Sequence, residues 1–286
     1  MLARQRSGTN PLRDVLATHP QIFCTPEVFH ELPSPEAELE VETNFFNFLE
    51  QHPRGHERRP LSFEAQEEIF LDFLSYLRFF SDKSFVFVDV KYNSTHHLDE
   101  PWREITAQPT MFRFIKRHEL RVLNLARRNY LRYYLSLAKA NMTGRWTETN
   151  HQPAGERDQK VTVDVEDLLH ILELCLSENA RIARSFDDYE PLYLTFDYEE
   201  LVADIGAPIS SELLGRIAAW LGIPTDFSQT TPQYRKQSAL PLRQTIQNYA
   251  AVKRALRGTG FEYCLEDERM YRRPGARASR AAPSAR

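Results

Sequence analysis

An α/β fold built around a parallel β-sheet is predicted by three features of this 286-residue sequence. Short apolar runs alternate with longer segments whose apolar residues recur every three or four positions, the pattern of strands and helices taking turns. The strand-like runs are nearly continuous in apolar residues, which suits strands covered on both faces. Two of the helical segments also carry stop signals, Gly222 ahead of Pro224 and Gly258 after Arg257.

In chain order, a short strand over Met1 to Arg4 should run into a turn and then a helix with Leu12, Val15 and Leu16 facing inward. Asn10 reads as its N-cap and Pro11 as its first helical residue, and the helix should stop before Pro20. Strands are expected over Ser84 to Tyr92, Arg121 to Ala126 and Pro191 to Phe196. Helices are expected over Glu64 to Phe80, Asn129 to Ala140, Asp164 to Ser185, Ile209 to Leu221 and Leu240 to Arg257. Three stretches look irregular: Glu31 to Pro60, Met142 to Lys160 and Asp226 to Leu240. Loops of that length serve as lids and binding edges or have no fixed structure. Residues 1–271 read as one domain, followed by a basic tail, 272–286, whose five arginines and lack of an apolar period predict disorder, with a weak anionic partner as a lesser use.

The formal net charge of −4 gives no whole-molecule case for nucleic-acid binding, so any anion site must be local. The three cysteines, Cys24, Cys175 and Cys264, are far apart and in apolar company, which suits a reducing compartment, and no pair has metal-site spacing. No transmembrane segment and no secretory h-region is found, so a cytoplasmic location is expected.

The sharpest local signal is the opening, "RSGTN" at Arg6, Ser7, Gly8, Thr9 and Asn10. A turn between a buried strand and a helix N-terminus leaves backbone N–H groups unpaired and aimed at one spot, where the helix dipole favours an anion. Gly8 would let the backbone approach closely, Ser7 and Thr9 would add hydroxyl donors, and Arg6 the charge. The plainer alternative is a capped strand-to-helix turn. It is not a Walker A loop, because no Gly-Lys-Ser/Thr follows. A similar plan recurs in "RVLNLARRNYLRYYLSLAKA": a strand, a doubled arginine, then a helix in which Ser136 lies eight residues beyond Arg128 and can face it.

With both stretches in place the sequence resembles the sulfotransferases that use 3′-phosphoadenosine 5′-phosphosulfate (PAPS). In that family a K/R-S-G-T loop after the first strand binds the 5′-phosphosulfate, and an Arg followed eight residues later by Ser binds the 3′-phosphate. "YEELVAD", with Tyr198, is similar to the family segment whose tyrosine lies near adenine, and "YRKQ", with Arg235 and Lys236, is similar to the late pair that closes over the 3′-phosphate. The flavour is that of the bacterial branch that includes nodulation-factor, lipopolysaccharide and glycolipid sulfotransferases. Two departures stand out: Pro11 occupies the position where many relatives carry a tryptophan, and only five residues precede Arg6.

The resemblance implies a P-loop-like, sulfotransferase-type nucleotide fold, PAPS as sulfuryl donor with no metal required, and an acceptor hydroxyl on a small molecule, sugar or glycolipid. Arg6 and the loop donors would stabilise the leaving phosphate, and Arg128, Ser136, Arg235 and Lys236 would read the 3′-phosphate. For the base, Glu27 in "TPEVFH" is preferred, at the place where the glycolipid branch carries a carboxylate; burial would raise its pKa into use. His96 and His97, with Lys91 nearby, are similar to the Lys-x-His position of cytosolic relatives, and His30 ranks third. The aromatics of "NFFNFLE" and "FLSYLRFF" read as core, while Trp102 and Trp146 on loops could line an acceptor cleft. Two other classes compete: an ATP-dependent phosphotransferase, for which a 3′-phosphate grip would be idle, and a nucleotide-binding module without turnover.

Overall fold

Five parallel strands, β1 (Leu2–Ala3), β2 (Ile22–Glu27), β3 (Phe85–Lys91), β4 (Val122–Ala126) and β5 (Tyr193–Asp197), make one sheet in the order β2-β3-β1-β4-β5. The computed structural model describes residues 1–31, 37–54, 62–99, 108–144, 146, 159–201, 209–228 and 240–266. The fold is therefore α/β, a parallel sheet flanked by helices. The tail and the Arg235 and Lys236 pair lie outside the described residues, as does Trp102.

Side chains alternate across each strand, and that alternation sorts the core. Leu2 and Val122 join one apolar cluster, whereas Ala3, Leu123 and Leu125 join another. On the second face lie α1 (Thr9–Leu16) and, later in the chain, a helix over Ser211–Leu221, through Leu12, Val15, Leu16, Leu213 and Ile217. The first face is packed by phenylalanines from the helices that follow α2 (Glu38–Glu42): α3 (Phe45–Gln51) gives Phe45, α4 (Phe63–Ser81) gives Phe70 and Phe73, and α5 (Thr110–Arg117) gives Phe112 and Phe114. A third cluster joins α6 (Tyr130–Thr143) to α7 (Val165–Ser185). The remaining described helices are α8 (Tyr198–Leu201), α9 (Ser211–Leu221), α10 (Leu242–Thr245) and α11 (Tyr249–Leu256). No described helix is long and apolar enough to cross a membrane.

Several expectations need correction. Asn10 does not cap α1: the helix begins at Thr9, and Gly8 takes the N-cap position in a left-handed conformation, φ 81°, with no side-chain cap. Pro11 is then the third helical residue, where its missing N–H is still harmless because the first four amides of a helix have no intrahelical partner. The single helix expected over Leu240 to Arg257 is two, α10 and α11, because Ile246 turns extended and bridges to Val161. Within the stretch read as irregular, α2 and α3 form, the latter capped by Asn44, whose side chain accepts from the Phe46 and Asn47 amides. β2, absent from the strands expected above, runs to Glu27 despite Pro26, since it is an edge strand and its register shifts between Cys24 and Glu27. There the Asp89 amide donates to Thr25 Oγ1 at 3.2 Å instead.

Candidate functional site

β1 stands where the strand order reverses, with β3 on one side and β4 on the other, and in open parallel sheets ligands bind off the carboxyl ends of the strands at that point. The residues there are those of the "RSGTN" loop. Arg6 has φ 63° and Gly8 φ 81°, so two left-handed residues flank Ser7. Ser7 is 1% exposed, and its Oγ has no hydrogen-bond partner among the described residues. α1 starts just beyond, without a side-chain cap.

Gly8 is small for a reason the sequence does not disclose. A Cβ there would sit 2.5 Å from Cε2 of Tyr198, so the packing of that ring by itself calls for a glycine. Tyr198 is itself buried, the first residue of α8 directly after β5.

Side chains from both neighbouring strands brace the loop. At the end of β3, Lys91 Nζ donates to Thr9 Oγ1 at 2.8 Å and to both oxygens of Asp89 at 2.8 and 2.7 Å, all three groups being buried. Just past β4, Arg127 Nη1 donates to the Arg6 carbonyl at 2.9 Å, and its guanidinium carbon lies 4.6 Å from the centroid of the Tyr198 ring. Arg6 reaches away from the loop: Nε donates to Ser136 Oγ at 3.0 Å and Nη1 to the Trp146 carbonyl. Two stretches 130 residues apart thus meet through Arg6 and Ser136.

The entry of α6 does not repeat the plan of α1. The amides of Arg128 and Asn129 donate to the Glu199 carboxylate at 3.1 and 2.9 Å, so that helix start already holds an anion, and Asn129 Oδ1 caps the Arg132 amide. The Arg128 side chain, 71% exposed, pairs through Nε with Asp197 Oδ2 at 2.6 Å rather than with Ser136 Oγ, which is bonded to Arg6. Burial pushes the Asp197 carboxyl up to about 6; Arg128 opposes that shift, and Glu199 and Glu200 add to it.

Of the base candidates, Glu27 ends β2, half-buried, with Ser94 Oγ donating to Oε1 at 3.3 Å. Burial raises its pKa above the ordinary glutamate value, against the pull of Lys91. His96 and His97 fall on the 3₁₀ turn Tyr92–Leu98 after β3. His96 is exposed, with Nδ1 2.6 Å from the Asn93 carbonyl oxygen, whereas the His97 ring packs 5.5 Å from Phe29 and 5.0 Å from Phe46, a core contact. His30 is exposed, and its carbonyl accepts from Asn44 Nδ2.

Sequence reasoning passes over Arg127, Asp89 and Glu199. The doubled arginine stands out in the sequence, but the buried member is the first. Asp89 and Lys91 have a readable signal: two opposite charges two residues apart share one face of an otherwise apolar strand. Among the described residues no group of three or more His, Cys, Asp or Glu is arranged to hold a metal ion.

No protein-family model matches the chain, and no curated protein matches it. Among solved structures, a sulfotransferase from Alicyclobacillus acidocaldarius is similar at 17% identity and a TM-score of 0.44, with 96% of this chain and 97% of that chain covered, an overlap that is nearly full-length and loose.

Proposed function

We propose that this chain transfers a sulfuryl group from PAPS to a hydroxyl, on a carbohydrate or glycolipid. The observation that carries the reading is the Ser7 hydroxyl, buried and without a partner among the described residues, between two left-handed residues at the uncapped start of α1. A buried polar group left unpaired costs about 1–3 kcal/mol, and an anion at this helix start would supply the missing acceptor. The junction of Arg6 with Ser136 supports a ligand carrying two anionic groups, since it ties the loop to the helix that bears the second part of the resemblance.

In such a transfer, charge develops on the departing oxygen, and preorganised donors there contribute most. Arg6 and Ser7 are those donors in this reading, which requires Arg6 to exchange Ser136 Oγ or the Trp146 carbonyl for the anion, with Thr9 held by Lys91 behind them. Glu27 takes the acceptor proton, because burial gives it a pKa nearer to neutrality than an exposed glutamate has. Arg128 and Ser136 read the 3′-phosphate. For Arg128 this requires the guanidinium to be shared with, or released from, Asp197.

The test is calorimetry with 3′-phosphoadenosine 5′-phosphate and with AMP. The bisphosphate should bind at least ~10-fold tighter, and Arg128→Ala should remove about 1.5–3 kcal/mol of its binding, the range of a hydrogen bond to a charged group. Equal affinity for the two nucleotides would leave the 3′-phosphate unread and sink the donor assignment. A mass-spectrometric screen of sugars and glycolipids with PAPS supplied then identifies the acceptor.

A further inference from the structure

Arg127 is a buried cation whose work is directed at the loop rather than at solvent. It is 6% exposed, and its Nε is buried with no hydrogen-bond partner among the described residues. Two of its contacts converge on one small region: Nη1 holds the Arg6 carbonyl at 2.9 Å, and the guanidinium lies over the Tyr198 ring, which in turn fills the space beside Gly8. The backbone it grips is unusual. Glycine enters the left-handed region freely, but Arg6, at φ 63°, does so against the steric penalty of its own Cβ. Such a conformation persists only where the surroundings enforce it. The carbonyl that Arg127 holds belongs to the strained residue itself.

We propose that Arg127 is a positioning residue, a clamp that keeps Arg6 left-handed and so holds the "RSGTN" loop in its anion-receiving form before any ligand arrives. The guanidinium touches no ligand in this role; it acts through the Arg6 carbonyl and through Tyr198. A planar guanidinium can lie over a ring and donate from its edge at once in one fixed geometry, which a compact ammonium on a flexible stem does not fix. The clamp concerns the loop's own geometry, and only its consequence for PAPS rests on the function proposed above.

The decisive experiment is a double-mutant cycle between Arg127→Met and Arg6→Gly, read by urea unfolding of the full chain. Glycine relieves backbone strain only while the clamp imposes it. Arg6→Gly should therefore shift the unfolding midpoint upward, or downward less, in the wild-type background than in the Arg127→Met background. A purely space-filling Arg127 gives additive shifts, and additive shifts or coupling of the opposite sign overturn the proposal. If Arg127→Met does not fold, Arg127→Lys replaces it in the same cycle, since it keeps the charge but loses the planar, forked grip. A parallel titration with 3′-phosphoadenosine 5′-phosphate separates the two readings. Coupling in the cycle with no binding by the wild type leaves the clamp standing and removes the donor assignment. Binding by the wild type, with additive shifts and unchanged affinity in Arg127→Met, removes the clamp and leaves the donor assignment. Where both hold, affinity should fall ~10-fold or more in Arg127→Met, because ligand binding then has to order the loop.

Discussion

Gly8→Ala should destabilise the protein far more than an ordinary glycine replacement. Two costs add. At φ 81° an alanine pays the left-handed penalty, about 1–2 kcal/mol. Its Cβ would also come within 2.5 and 2.6 Å of two Tyr198 ring carbons, and that ring has little room to retreat, being 7% exposed and lying under the Arg127 guanidinium. Overpacking of this kind costs about 1–3 kcal/mol, so the total expected is about 2–5 kcal/mol. Gly222 provides the control: its φ is 72°, yet nothing lies within 4 Å of where its Cβ would be, so Gly222→Ala should show the backbone penalty alone. Urea unfolding of both variants, and of Gly8→Ala combined with Tyr198→Leu, measures the two parts separately. The double variant should recover most of the clash. If Gly8→Ala costs no more than Gly222→Ala, the packing of Tyr198 on the loop is not as described, and Gly8 has no steric role there.

Glu27→Gln should lower kcat by roughly 10²–10⁴ with nucleotide binding unchanged. The acid limb of the wild-type pH–rate profile, on which activity rises with pH as Glu27 deprotonates, should lie above the ordinary glutamate range and vanish in the variant. His96→Ala should turn over near normally, and His97→Ala should lose stability through its contacts with Phe29 and Phe46; collapse of turnover in a stable histidine variant would move the base to that turn. Asp197, raised to about 6 in the fold, binds more protons folded than unfolded between about pH 4 and 6, so its contribution to stability is present below that window and is lost as pH rises through it. Asp197→Asn should flatten that part of the stability profile, and an unchanged slope would mean that the Arg128 pair outweighs burial.

The strands after β2 are legible in the sequence because their apolar runs are continuous and nothing else in the chain looks like them. The start of α1 is not, because Asn10 and Pro11 are good cap signals in their own right, while the chain uses a left-handed glycine that carries no signal of its own. The break between α10 and α11 is invisible for a different reason. The apolar period runs straight through Ile246, and what turns the residue extended is a partner far away in sequence, Val161. At the site, "RSGTN" can be read locally because a strand, a turn and a helix start suffice to define it. Choosing between Arg127 and Arg128 cannot be done that way, since which of two adjacent side chains points inward depends on the phase in which β4 enters the sheet, and that phase is set by packing.

The two braces differ in what they can do for an anion. Lys91 meets both oxygens of Asp89, so its charge is largely matched within the fold, and what remains at the loop is its third donor, fixing Thr9. Arg127 is buried beside the loop, with the Tyr198 ring and the Arg6 carbonyl against its guanidinium. Neither side chain therefore adds an exposed charge where a ligand would arrive; both fix the shape of a loop whose parent strand, β1, is only two residues long. In the function proposed above, the cation that would meet an anion directly is Arg6, whose guanidinium donates to Ser136 Oγ and to the Trp146 carbonyl. Both of those acceptors are neutral, whereas a phosphate oxygen carries charge and can meet a guanidinium through two parallel bonds. Exchanging either of them for a phosphate oxygen would thus strengthen the bond that Arg6 makes, and Ser136 Oγ would be freed to donate to the same ligand. The acid on the β3 side, Asp89, has its charge largely matched by Lys91. On the function proposed above, a chain with a net charge of −4 would in this way present an anion-seeking loop, because what a ligand meets is the local pairing of charges and not their sum.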